Sequence, residues 1–161
     1  MKNASSTHVQ SDTPNVAVLP PLLYGIALGV GLVLHWVAPW ALLASGARYW
    51  VGGAILILAV ALAVWARAQM ERAGTNVNPR LPTTTLVTTG PFRFSRNPLY
   101  LALTLLYIGL ALLTNALWVL VLLLPVWLVM HYGVVLREER YLEAKFGEAY
   151  RLYRSRVRRY L

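Results

Sequence analysis

Apolar residues gather into four long runs, with polar and basic stretches between and around them. The runs extend from about Leu19 to Val37, Tyr49 to Ala66, Leu99 to Leu113 and Leu117 to Leu136. A bilayer core of about 30 Å needs roughly 20 apolar residues in a helix, so each run predicts a membrane-spanning helix. The third is short for that task, and local thinning or partial cover by protein is expected around it. Only Thr114-Asn115-Ala116 separates the third and fourth runs, which predicts a tight turn between antiparallel neighbours. Gly25 and Gly29 form a small-xxx-small pair of the kind that lets helices approach closely. Pro125 lies inside the fourth run and is expected to kink it.

Beyond Leu136 the period changes. Leu142, Phe146, Ala149, Tyr150, Tyr153 and Val157 recur at steps of three and four, the spacing of an amphipathic helix. Its other face carries Arg151, Arg154, Arg156 and Arg158, which suits an interfacial helix on anionic lipid, with a bend at Gly147. The fold class is therefore all-α: a polytopic membrane protein of about four transmembrane helices plus a C-terminal amphipathic helix. Residues 1–16 are polar and read as a disordered tail, not a signal peptide, leaving 17–161 as one membrane domain.

Composition sharpens this picture. Apolar residues make up 58% of the 161 and charged residues 13%, against roughly 45–50% and about 25% in soluble domains. The net charge is +9, yet most of it lies just outside the apolar runs. Membrane orientation explains that placement better than nucleic acid, and no nucleic-acid partner is expected. Arg67, Arg72, Arg80, Arg93 and Arg96 face a single acid, Glu71, in the segment 67–96. The tail after Leu136 is also basic, whereas the turn at 114–116 carries no charge. Basic loops stay cytoplasmic, so both termini are expected inside, in a bacterial-type inner membrane. Trp36, Trp40, Trp50 and Trp118 then fall near the outer interface and Trp65 near the inner one. With no cysteine, disulfides, thiolate metal sites and a cysteine nucleophile are excluded. His8, His35 and His131 lack metal-ligand spacing, and no metal is expected.

Candidate chemistry sits at the run boundaries. The loop 74–89 is rich in Thr, Asn and Pro, too irregular for a helix and suited to fold over a ligand as a lid. It leads into Gly90-Pro91-Phe92-Arg93-Phe94-Ser95-Arg96-Asn97-Pro98-Leu99-Tyr100. Pro98 suits a first helical position and Asn97 an N-cap, and Tyr100 shares a face with Asn97. At the far end of the hairpin stand Arg137-Glu138-Glu139-Arg140. The acids either pair with Arg93, Arg137 or Arg140, or hold the ammonium or ribose hydroxyls of a cofactor.

These segments in this order, ending in Glu138-Glu139-Arg140-Tyr141-Leu142-Glu143-Ala144-Lys145-Phe146-Gly147-Glu148-Ala149-Tyr150, resemble the isoprenylcysteine carboxyl methyltransferase and phospholipid methyltransferase superfamily. The resemblance covers about residues 74–159. It implies an integral membrane enzyme that uses S-adenosyl-L-methionine to methylate a lipophilic acceptor, with membrane lipids as surroundings. It implies cofactor contacts from Thr84, Thr85, Leu86, Val87, Phe92, Asn97, Pro98, Tyr100 and Glu138, with Glu139 completing the acidic pair. In the prenylcysteine enzymes an arginine one turn before the glutamates is implicated in holding the substrate carboxylate; Val134 stands there in this chain. The nearest polar candidates for a catalytic or substrate-holding role are His131 and Arg137. The expected activity is isoprenylcysteine carboxyl methyltransferase-like. Alternatives are phospholipid-amine N-methylation, a non-catalytic assembly protein with the same fold, and haem binding through His35 and His131.

Overall fold

The computed structural model describes residues 13–43 and 46–161, and all regular structure among them is helical. The helices are α1 (Pro20–Val37), α2 (Ala47–Arg72), α3 (Pro98–Thr114), α4 (Leu117–Met130), α5 (Leu136–Phe146) and α6 (Glu148–Arg156). A 3-10 turn at Gly90–Arg93 precedes α3, and a π-turn at His131–Val135 joins α4 to α5. Among the described residues, three continuous helical stretches are long and apolar enough to cross a bilayer: Pro20–Val37, Ala47–Arg72 and Leu117–Phe146. The 17 residues of α3 span about 25 Å, shorter than the about 30 Å of a bilayer core. The chain is a polytopic helical membrane protein.

Asn115 and Trp118 stitch one end of the bundle. Asn115 closes α3 in the left-handed conformation at φ 55°, and its Oδ1 accepts the backbone N–H groups of Leu42 and Leu43, each at 2.9 Å. Trp118 donates to the Ala38 carbonyl at 2.8 Å and stacks on Trp40 at 5.4 Å. Trp36 and Trp50, at the α1 end and the α2 start, are largely exposed, as interfacial anchors are.

The helices pair as α2 with α3 and α1 with α4. α3 and α4 meet across their short turn as expected of neighbours, but the larger interfaces are those two. The glycines explain the choice. A Cβ on Gly109 would lie 2.6 Å from Leu56 Cδ2 and 3.2 Å from the Gly52 carbonyl, so α2 and α3 touch backbone to backbone there. On α1, a Cβ at Gly31 would lie 2.8 Å from Val119 Cγ2. Gly25 and Gly29, the expected contact pair, face open space. The inward face of α1 carries Tyr24 and Gly31 instead. Gly109→Val is therefore expected to destabilise by about 1–3 kcal/mol through overpacking, while Gly25→Ala leaves the melting temperature in detergent unchanged. Equal melting of Gly109→Val and wild type would refute the contact.

Pro125 sits inside a continuous α4; beyond it, at His131–Val135, the chain forms a π-turn, where the Leu136 N–H bonds the His131 carbonyl. The extra residue in that turn leaves the Gly133 carbonyl to accept the Ala17 N–H at 3.0 Å. Residues 1–12 of the expected tail lie outside the described residues. Within residues 13–16, Pro14 and Val16 are buried, and Val16 joins the core of Tyr24, Met130 and Val134. Gly147, at φ 53° and ψ −122°, a conformation only glycine adopts readily, ends α5 and turns the chain into α6. Along the expected amphipathic stripe, Tyr150 and Tyr153 are buried, but Ala149 is exposed.

Candidate functional site

Gly90 brings the chain down onto α2. Its φ is 60°, and a Cβ there would lie 2.6 Å from Gln69 Cγ and 3.2 Å from Trp65 Nε1. Pro98 then starts α3, with Asn97 at the capping position. The Asn97 side chain does not cap the helix; its Nδ2 donates to the Arg159 carbonyl at 2.9 Å. The Asn97 N–H instead bonds Ser95 Oγ at 3.1 Å. One turn on, the Tyr100 hydroxyl donates to Glu138 Oε2 at 2.7 Å. The start of α3 and the start of α5 are thus joined at one end of the bundle.

Adjacent helical residues point about 100° apart, so the two acids have separate fates. Glu138 faces α3. Glu139, 6% exposed, takes Arg159 Nε at 2.8 Å and Nη2 at 2.9 Å, and Arg96 Nη1 at 3.0 Å. Its partners are therefore Arg96 and Arg159, not the expected Arg93, Arg137 or Arg140. Arg137 and Arg140 donate to the carbonyls of Asn15 and Leu136. Arg96 Nη1 also donates to the Tyr150 hydroxyl at 3.1 Å, while its Nε is buried with no partner among the described residues. Burial, and then the charge of Glu139, pushes the Tyr150 phenol up, with Arg96 opposing. The Tyr153 hydroxyl donates to the Phe92 carbonyl at 2.7 Å.

The loop 74–89 folds back on itself. Thr75 Oγ1 accepts the Thr84 N–H at 3.1 Å, Thr84 Oγ1 donates to the Gly74 carbonyl at 2.7 Å, and Asn76 Nδ2 donates to the Pro82 carbonyl at 2.8 Å. The Thr83 N–H reaches the Tyr141 hydroxyl on α5 at 3.1 Å. Between loop, α3, α5 and α6 lies a cavity of about 90 Å³. Of the sequence candidates, Thr85, Leu86, Val87 and Phe92 line it from the loop side. Asn97, Pro98, Tyr100, Glu138 and Glu139 line it from the helices.

Three candidates lie elsewhere. Thr84 is exposed and holds the loop together. Arg137 is exposed and bound to the Asn15 carbonyl. His131 pairs through Nδ1 with the Tyr160 hydroxyl at 3.1 Å and stacks on Trp127 at 5.2 Å. Sequence reasoning missed Arg96, Tyr150 and Tyr153 as lining residues. Arg96 reads as a snorkelling cation until its 8% side-chain exposure is seen. The two tyrosines had a signal, their place on the apolar stripe of the last helix.

A second cavity, an apolar groove of about 830 Å³, runs among α1, α2 and α3. Ala59, Val60, Ala102, Leu103 and Leu106 line it, and Arg67 stands at its edge. It shares Val77, Pro79, Leu99 and Tyr100 with the polar cavity. The molecule is thus a helical membrane protein with a charged, aromatic-lined site beside a lipid-sized groove. Residues 47–149 match the phospholipid methyltransferase family. The chain belongs to that family, a family of membrane methyltransferases. No curated protein and no solved structure matches the chain.

Proposed function

We propose that the protein transfers a methyl group from S-adenosyl-L-methionine to a lipophilic acceptor, on the cytoplasmic face of an inner membrane with both chain ends inside. The observation that carries this reading is the wall shared by the polar cavity and the apolar groove, formed by Val77, Pro79, Leu99 and Tyr100. A soluble charged molecule and a lipid chain would meet across it.

The donor set fits the cofactor. Glu138 offers a carboxylate for its ammonium or ribose hydroxyls, and Arg96 Nε offers a buried, unpartnered N–H for its carboxylate. Val87, Phe92 and Leu142 supply apolar cover. When bound, the cofactor supplies a methyl on a sulfonium that departs as a neutral thioether, so no strong acid is required. The chain's own part is to align the partners and exclude water, which contributes up to about 7–11 kcal/mol in well-oriented reactions. The cavity of about 90 Å³ is below the about 300–1,000 Å³ usual for such ligands. Loading therefore requires the loop 74–89 to lift from α5, breaking the contact between Thr83 and Tyr141.

The groove suits the acceptor's hydrocarbon in either acceptor class, prenylated carboxylate or phospholipid amine. Two measurements test the proposal. Purified protein titrated with S-adenosylhomocysteine should give saturable heat, and methyl-labelled cofactor with total membrane lipid should leave label in a lipid species. Absence of cofactor-product binding would sink the reading. Binding without transfer to any lipid would favour an assembly role on the same fold.

A further inference from the structure

The sequence sets Arg151, Arg154, Arg156 and Arg158 together as one polar face, and the structure divides them. Arg151 Nη2 meets Glu148 at 2.8 Å, and Arg154 Nη1 meets Glu143 at 3.1 Å. Arg156 and Arg158 are exposed, and neither guanidinium has an acid or other acceptor among the described residues. Arg93, on the 3-10 turn before α3, is exposed and unpaired in the same way. Three cations from two separate elements are therefore left uncompensated.

The fold holds those elements against each other. The Tyr153 hydroxyl donates to the Phe92 carbonyl at 2.7 Å, which fastens the 3-10 turn to α6. The Arg96 N–H donates to the Arg158 carbonyl at 3.0 Å, and the next carbonyl, of Arg159, takes Asn97 Nδ2 at 2.9 Å. The Arg159 guanidinium is clamped by Glu139 beneath. The unpaired cations thus stand on a fixed surface, where their mutual repulsion favours a bound anion. Large apolar side chains share that surface: Phe94 is 65% exposed and Leu152, one turn before Arg156, is 50% exposed. A soluble polyanion has no use for them, whereas the boundary between head groups and acyl chains meets both kinds of side chain. The place is right as well. Phe94 lies one turn before Pro98, where α3 and its apolar run begin, so the patch stands at head-group depth.

We propose that Arg93, Phe94, Leu152, Arg156 and Arg158 form a docking site for an anionic phospholipid, separate from the groove and from the polar cavity. The cations take the phosphate and head group, and Phe94 and Leu152 lie against the acyl chains. The site is independent of the methyl-transfer reading. The test uses the full chain in a neutral maltoside detergent, titrated with dioctanoyl phosphatidylglycerol or dioctanoyl phosphatidylcholine, with retained lipid counted by native mass spectrometry. Phosphatidylglycerol should bind at least about fivefold more tightly, and its advantage should shrink as salt rises. At about fivefold per arginine, Arg156→Gln/Arg158→Gln should weaken phosphatidylglycerol by about 10- to 25-fold, and Arg93→Gln alone by about fivefold. Arg151→Gln/Arg154→Gln removes the same charge from paired positions and should cost less than about threefold. All three variants change exposed side chains and should melt with wild type. Equal retention of the two lipids overturns the proposal. So do equal losses in the two double variants, which would mean diffuse charge and no site. A single-stranded 20-mer oligonucleotide that displaces phosphatidylglycerol would show a general polyanion surface and overturn the lipid assignment.

Discussion

Glu139→Ala is expected to destabilise the protein by about 3–5 kcal/mol, the range for breaking a buried ion pair and leaving its partner charge unmet. Glu139 is 6% exposed and carries a bidentate Arg159 and a monodentate Arg96. Its loss leaves two guanidinium groups facing one another. Arg96 has only 8% of its side chain exposed, so little water can take the acid's place. Arg159→Ala should cost less, because Arg159 is 30% exposed and Arg96 still compensates the acid. The damage also spreads to the site, since the Arg159 carbonyl accepts from Asn97 and Ser95, and the Arg158 carbonyl from the Arg96 N–H. The control is Glu71→Ala. Its pair with Arg67 is more than half exposed on both sides, and such pairs contribute about 0–1 kcal/mol. Denaturant unfolding in detergent, with a Glu139→Gln/Arg159→Gln double-mutant cycle, checks the claim. Equal losses for Glu139→Ala and Glu71→Ala, with no coupling to Arg159, would show that the clamp is ornamental.

Much of this arrangement was legible in the chain, because a bilayer demands apolar runs of fixed length and permits few ways of spanning it. The four runs became α1 to α4 with ends shifted by a few residues. α2 continues past Ala66 to Arg72, since a helix does not stop where the hydrocarbon does, and the fourth run passes from α4 into the π-turn after Met130. The meeting of Tyr100 with Glu138 followed from their places at the two ends of one hairpin. Helix pairing was not legible. A three-residue turn makes α3 and α4 neighbours, but it does not say which helices share the largest interface; Gly52 and Gly109 set α2 against α3, and no local pattern marks which glycines will face each other. The acid pair was half legible. Period alone separates Glu138 from Glu139, but Arg159 stands in a run of arginines that reads as solvated, and only the fold selects one of them for burial against Glu139. The π-turn at His131–Val135 left no signal apart from Gly133, whereas Pro125, the visible irregularity, is carried inside α4.

Removing the charge of Glu138 is expected to weaken S-adenosylhomocysteine binding by about 10- to 100-fold, the equivalent of the about 1.5–3 kcal/mol typical of a hydrogen bond to a charged group. Glu138 is poised for this role because its sibling neutralises the nearby arginines: Glu139 occupies Arg96 and Arg159, so the Glu138 carboxylate has only the neutral Tyr100 hydroxyl at 2.7 Å among the described residues. Three variants separate charge from placement. Glu138→Gln keeps shape and an acceptor for Tyr100 but lacks charge; Tyr100→Phe keeps the charge but frees the carboxylate to turn; Glu138→Ala removes both. If the carboxylate binds the ammonium group, Glu138→Gln should lose nearly as much as Glu138→Ala, and Tyr100→Phe less than either. If it binds ribose hydroxyls, Glu138→Gln should retain much of the affinity, since an amide oxygen still accepts. Wild-type affinity in all three variants would remove Glu138 from the site altogether. It would leave Arg96, with its unpaired Nε, as the group around which cofactor recognition must be rebuilt.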